Sequence, residues 1–124
     1  MQQIRFCTSR DGTRIAYANC GTGPALIWLP HWGHHLRFDW DSPVWRPWLA
    51  LLSRNHTLIS HDWRGCGLSD RNVEFSFQRY ADDMDAVVAS SGADQLTLFG
   101  MAAGADLAIH YAAKHPQRVA RLIL

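Results

Sequence analysis

Residues Gly100 to Gly104, Gly-Met-Ala-Ala-Gly, fall where an apolar strand pattern over 95–99 gives way to a helical pattern over 103–114. Two glycines flanking a middle residue at such a junction form the frame of a nucleophile elbow, G-x-S-x-G. Its sharp turn holds the middle residue at positive φ and lifts that side chain clear of the backbone, where a hydroxyl can attack a carbonyl carbon. Glycine is needed two residues to either side because a Cβ there would collide with the facing strand or helix. Here Gly100 and Gly104 keep the frame, and the middle position, 102, is alanine. A methyl group has no lone pair, so this elbow is not expected to run acyl transfer by covalent catalysis.

Other residues invite chemistry and are read more plainly. Seven histidines raise the question of a metal. His31, His34 and His35 cluster in one segment, but no cysteine or carboxylate completes a ligand set at standard spacing, so a hydrogen-bonded loop cluster is expected and no metal. His110 is assigned to helix packing, and His115, before Pro116, to a helix end where partial positive charge suits the dipole. Asp62 follows a strand and precedes Arg64-Gly65; it is read as the organiser of its turn, with a place lining a site as the alternative. Cys66, between two glycines, lacks an adjacent base and is expected to be inert. Asp106 is expected to point away from the elbow into solvent. Trp32 and Trp40 are candidates to line an apolar pocket near the elbow. Gly21-Thr22-Gly23 leads into a strand where a dinucleotide fingerprint needs a helix, and Gly100 to Gly104 lacks the Lys-Ser/Thr ending of a phosphate loop. No cofactor is expected.

The elements that must position these residues follow from periodicity. Residues 4–8 alternate apolar and polar up to Asp11-Gly12, and 14–19 resume the pattern, which predicts an antiparallel opening pair. Ala25–Leu29 is a continuous apolar run, the mark of a strand buried on both faces. Ser42-Pro43 predicts a helix start, continuing to about residue 53, with Pro47 disturbing its first turn. Residues 57–60 predict a strand. Phe77, Tyr80, Ala81, Met84, Val87 and Val88 recur at helical spacing behind a Ser76 cap, with Gly92 as the stop. A strand over 95–99, a helix over Ala103–Lys114 and a strand over 119–124 complete the chain. Strand–helix alternation at this cadence implies a mostly parallel sheet with helices on both faces.

Composition narrows the partners. In 124 residues, 48% are hydrophobic and 19% charged, as in a globular chain, and length favours one domain. Twelve basic against eleven acidic residues leave no basic excess for a phosphate backbone, so no nucleic acid is expected on this segment. No apolar stretch approaches the roughly twenty residues of a membrane span. Gln2, Gln3 and Arg5 break up the opening before an apolar signal core forms. Three cysteines without a C-x-x-C pair suit a reducing cytoplasm.

Three stretches carry a family likeness: Asp62-Trp63-Arg64-Gly65-Cys66-Gly67-Leu68-Ser69-Asp70; Tyr80-Ala81-Asp82-Asp83-Met84; and the elbow followed by Tyr111-Ala112-Ala113-Lys114-His115-Pro116-Gln117-Arg118-Val119. In this order and spacing the chain resembles the N-terminal half of an α/β-hydrolase-fold protein. Pro30-His31-Trp32-Gly33 and the Trp-rich segment over 40–48 look most like hydrolase-like domains fused to bacterial transcription regulators and nucleotide cyclases.

The resemblance implies that Ala102 matches the nucleophile position and that the backbone N–H of Ala103 matches one oxyanion donor. Trp32, or else His31, matches the loop supplying the second donor, and His31 and Met101 are candidates for the pocket. The family's acid and histidine lie after the sixth strand, and residues 1–124 read as the N-terminal part of one such domain, ending at that strand. A C-terminal half or a fused domain is implied as a partner. The expectation is a domain of serine esterase or acyl-hydrolase ancestry, inactive as it stands, with a small apolar or ester-like molecule as ligand. Two alternatives stay open: a non-catalytic ligand-sensing module of a larger regulatory protein, or an active enzyme in which Ala102 is an engineered replacement.

Overall fold

A computed structural model describes residues 1–31 and 33–124. Strands β1 (Gln3–Thr8) and β2 (Arg14–Cys20) pair antiparallel, from Gln3 opposite Asn19 to Thr8 opposite Arg14. The turn between them closes where the Ser9 N–H donates to the Thr13 carbonyl at 2.8 Å, and the Asp11 carboxylate accepts from the Thr13 N–H. Strands β3 (Ala25–Leu29), β4 (Thr57–His61), β5 (Leu96–Gly100) and β6 (Val119–Ile123) run parallel to one another. The sheet order is β1-β2-β4-β3-β5-β6, with β2 antiparallel to β4. This is the mostly parallel sheet with an antiparallel first hairpin that the alternation predicts.

Period-two alternation sorts the strand residues onto two faces. Ile27, Leu29, Ile59 and Leu98 pack with Met84, Val87 and Val88 of α2 (Phe77–Ser91) and with Leu107, Ala108 and Tyr111 of α3 (Ala103–Lys114). Leu26, Trp28 and Leu58 turn the other way, onto Leu49 of α1 (Trp45–Leu52). With helices against both sides, β3 has no solvated face, hence its unbroken apolar run.

The helix ends follow their capping chemistry. The Ser76 hydroxyl accepts from the Arg79 N–H at 3.2 Å, and Gly92 ends α2 in the left-handed conformation. α1 starts later than Ser42-Pro43 suggested. The Ser42 hydroxyl accepts from the N–H groups of Val44 and Trp45 at 3.2 and 3.3 Å, and regular helix begins only at Trp45. Pro47 then falls in the first turn, where its missing N–H would have had no intrahelical acceptor. Among the described residues no helix is long and apolar enough to cross a membrane.

Candidate active site

The turn from β5 into α3 carries the elbow geometry. Ala102 sits at φ 53°, ψ −124°, immediately before the first residue of α3, and is exposed. Left-handed φ is uncommon for a residue with a side chain; among the described residues Asn72 is the other non-glycine that adopts it. The flanking glycines are fixed by close approach. A Cβ on Gly104 would overlap the Leu29 carbonyl oxygen and come within 2.9 Å of the Pro30 oxygen. One on Gly100 would lie 2.6 Å from the Ala105 Cα. The Met101 N–H donates to the Leu29 carbonyl at 2.9 Å, which ties the elbow to the end of β3.

Ala103 opens α3, so its N–H points from a helix N-terminus with no intrahelical acceptor. The segment after β3 starts beside the elbow at Leu29-Pro30, as the contacts of Met101 and Gly104 require. Trp32 lies outside the described residues. His31 accepts from the Gly33 N–H through Nδ1 at 3.0 Å, and its ring lies 5.2 Å from that of Trp45. Met101 is half-buried at the foot of the turn.

Asp62 organises its neighbourhood, as its place after β4 suggested. It is fully buried; Oδ1 accepts from the Leu36 N–H and Oδ2 from the Leu68 N–H, both at 2.8 Å. The Ser69 hydroxyl donates to the Asp62 carbonyl at 2.7 Å. One carboxylate thus pins the segment after β3 to the turn after β4. Arg64 is equally buried and makes two hydrogen bonds to Asp83, with further contacts to Asp11 and the Glu74 carbonyl. Arg64 and Thr13 hold the Asp11 carboxyl well below the usual carboxylate range.

Between these anchors Trp63 lines a recess of about 220 Å³ with Phe77, Tyr80, Ala103, Asp106 and Leu107. Asp106 is exposed, as expected, and also stands at the recess beside Ala103, where the first turn of α3 carries it to the α2 side. One expectation about the recess is corrected: Trp40 does not line it. Its indole N–H donates to the Gln2 side chain at 2.9 Å, and its ring packs against the cluster of Leu26, Trp28, Leu49 and Leu58 on the opposite face of the sheet. Burial pushes the Tyr80 phenol above its ordinary range.

The remaining histidines are spread by function in the fold. His34 is buried and its Nδ1 lies 2.5 Å from Asp39 Oδ2, a carboxylate partner that spacing rules for metal sites passed over. His35 accepts from the Arg37 N–H. His110 packs edge-on against Phe77, and His115 ends α3 with Nε2 3.4 Å from Asp85. His61, at the end of β4, is buried; desolvation, reinforced by the neighbouring His34, pushes its imidazole down to about 3. Sequence reading missed it; in the structure it is sealed beside Trp63, with ring centroids 5.7 Å apart, and opposite Tyr17 of β2. Cys66 lies in a shallow groove with His34, His35 and Arg71. Among the described residues no three metal-ligating side chains converge.

A six-stranded, mostly parallel sheet whose fifth strand turns sharply into a helix between two obligatory glycines defines a hydrolase-type α/β protein. The chain belongs to the α/β-hydrolase fold family: the family model described as alpha/beta hydrolase fold matches residues 24–124. It is 35% identical over 122 residues to a non-heme haloperoxidase of Rhodococcus erythropolis, covering 96% of this chain and 42% of the relative. It is 30% identical over 122 residues to the bifunctional esterase/perhydrolase DCH of Acinetobacter calcoaceticus, covering 96% and 43%. The crystal structure of the esterase RhEst1 from Rhodococcus sp. ECU1013 superposes with a TM-score of 0.79 at 32% identity, covering 96% of this chain and 44% of that one. The chain therefore spans less than half the length of these relatives.

Proposed function

We propose that residues 1–124 form the N-terminal part of one α/β-hydrolase-like domain of serine esterase or related acyl-hydrolase ancestry, with Ala102 at the nucleophile position. The observation that carries this reading is the backbone of Ala102. An alanine gains nothing from φ 53°, ψ −124°, which costs on the order of 1–3 kcal/mol for a residue with a side chain. The contacts of Gly100 and Gly104 impose the turn, and it presents residue 102 outward whatever its chemistry.

In this reading the backbone N–H of Ala103 is one oxyanion donor, and Trp32 or His31 supplies the second from the segment after β3. Such donors are worth about 2.7–4 kcal/mol each in a working enzyme, and being backbone groups they outlast the serine. His31 and Met101 are the candidates for the acyl pocket in this reading, on the β3 side of the elbow and apart from the residues that line the recess beside Ala103. Without a hydroxyl or thiol at position 102, a bound ester would be polarised and not attacked.

The test is hydrolysis of p-nitrophenyl butyrate by the purified chain against a heat-denatured control, with intact-mass spectrometry for an acyl adduct. No turnover and no adduct are expected. A saturable rate that survives further purification would overturn the reading and direct attention to Cys66.

A second reading, a ligand-sensing module of a larger regulatory protein, is favoured by one observation: the recess beside Ala103 is walled by aromatic and aliphatic side chains. Here the ligand is a small apolar or ester-like molecule. The likeness of Pro30 to Gly33 and of the Trp-rich segment over 40–48 to domains fused to transcription regulators and cyclases would supply the output.

A further inference from the structure

The recess beside Ala103 has features that ester binding does not use. Its lining is Trp63, Phe77, Tyr80 and Leu107, with Ala103 at one edge and Asp106 alongside. The rings of Trp63 and Tyr80 meet at 77° with centroids 5.1 Å apart, so two aromatic walls stand nearly at right angles. Phe77 adds a third ring, steadied by an edge-on contact with His110 at 5.1 Å. Asp106 is exposed and takes part in none of the ion pairs among the described residues.

Ring faces carry negative electrostatic potential and attract cations. The attraction is strongest for cations that shed water easily. A methylated ammonium meets that condition, since it has few or no N–H groups to leave unpaired on entering an apolar recess. A neutral apolar ligand would use the rings but gain nothing from the carboxylate. An anion would meet repulsion from both. The first turn of α3 brings a partial positive charge to this edge, and the Asp106 carboxylate offsets it within the same turn.

We infer that this recess binds a small organic cation bearing a methylated ammonium group, with Trp63, Phe77 and Tyr80 around the methyls and Asp106 as the counter-ion. The inference deepens the ligand-binding reading by naming the ligand's chemistry, and it leaves the ancestry of the elbow untouched.

The test is calorimetric titration of the purified chain with choline and with 3,3-dimethylbutan-1-ol, its neutral isostere. Choline is expected to bind at least tenfold more tightly. Asp106→Asn, at an exposed position, should weaken choline about tenfold and leave the alcohol unchanged. Phe77→Leu, also exposed, should weaken choline more than the alcohol. Raising the salt concentration should weaken choline alone. Equal binding of the two compounds would overturn the cation assignment while leaving an apolar ligand site in place. Choline binding indifferent to Asp106→Asn would place the cation elsewhere and overturn it too. Absence of binding by either compound would remove the recess as a ligand site, and the ligand-sensing reading with it.

Discussion

The guanidinium of Arg64 lies against the carboxylate of Asp83 through two hydrogen bonds, Nε to Oδ2 at 2.8 Å and Nη2 to Oδ1 at 2.7 Å, with both side chains sealed from solvent. The bond joins the turn after β4 to the middle of α2, two stretches that sequence alone shows only as neighbouring motifs. Asp62 fixes the start of the same turn through Leu36 and Leu68. Trp63 lies between the two anchors, and its ring is thereby held against Tyr80. The recess beside the elbow thus owes its wall to two buried polar residues that do not line it.

Removing one partner of a buried ion pair leaves a charge without compensation and costs about 3–5 kcal/mol. Asp83→Asn should fall near the lower end, because Asp11 and the Glu74 carbonyl still hold Arg64. Asp11→Asn should cost clearly less, since the Asp11 side chain keeps contact with water. Urea denaturation of the two variants checks the order. Equal losses would mean that the three-residue cluster, and not the Arg64–Asp83 pair, carries the stability.

The elbow makes opposite predictions at two positions two residues apart. Gly104→Ala forces a Cβ onto the Leu29 carbonyl, which is strand backbone and cannot move aside cheaply. A loss of about 1–3 kcal/mol is expected, as for overpacking elsewhere. Ala102→Gly removes a side chain from a positive-φ residue and should stabilise by about 1 kcal/mol. Thermal melts of both variants decide it; a destabilised Ala102→Gly would mean that the turn is not strained.

Much of this was legible in the chain. The glycine frame around Ala102, the Ser76 cap and the Gly92 stop are local chemistry, and each recurs in the structure at the expected residue. Alternation located the opening hairpin, and an unbroken apolar run located β3, because a helix layer lies on each side of the sheet there. What sequence could not show is long-range. The recess wall comes from Trp63, Phe77 and Leu107, which no local pattern connects. Trp40 had the right type for a pocket and lies on the wrong face of the sheet, because the segment after β3 folds across to α1. Asp39 has no motif that would pair it with His34; only the chain reversal over 34–39 brings them together.

His61 predicts a pH dependence. Its folded value, about 3, lies below the ordinary 6.5 because the charged ring would be desolvated. A base depressed on folding takes up its proton more readily in the unfolded chain. Stability from this residue is therefore complete above pH 6.5 and falls as the pH drops toward 3. The slope approaches one proton, about 1.4 kcal/mol per pH unit, across the middle of that window. Asp11, held low, adds its own loss only below the usual carboxylate value of 3.8. Urea midpoints between pH 4 and 6 should then lose most of their slope in His61→Leu. An unchanged slope would show that another group titrates there.

Ala102→Ser separates loss of the nucleophile from loss of the site. The residue is exposed and its turn is imposed by Gly100 and Gly104, so one added oxygen should leave the melting temperature within a few degrees of the parent. The resemblance places the family's acid and histidine outside residues 1–124, so in this chain ester turnover by the serine form should stay at background. In any longer polypeptide that carries this sequence together with the family's acid and histidine, the same substitution should give covalent labelling by a fluorophosphonate probe. The Ala103 N–H, at the start of α3, would then stabilise the developing charge, and its geometry does not depend on the side chain at 102. Labelling of the serine form with none of the alanine form is the expected result, read by intact mass at residue 102. A folded serine form that stays unlabelled in that longer context would mean that the elbow has lost more than its oxygen, and the acyl-hydrolase reading would give way to ligand sensing.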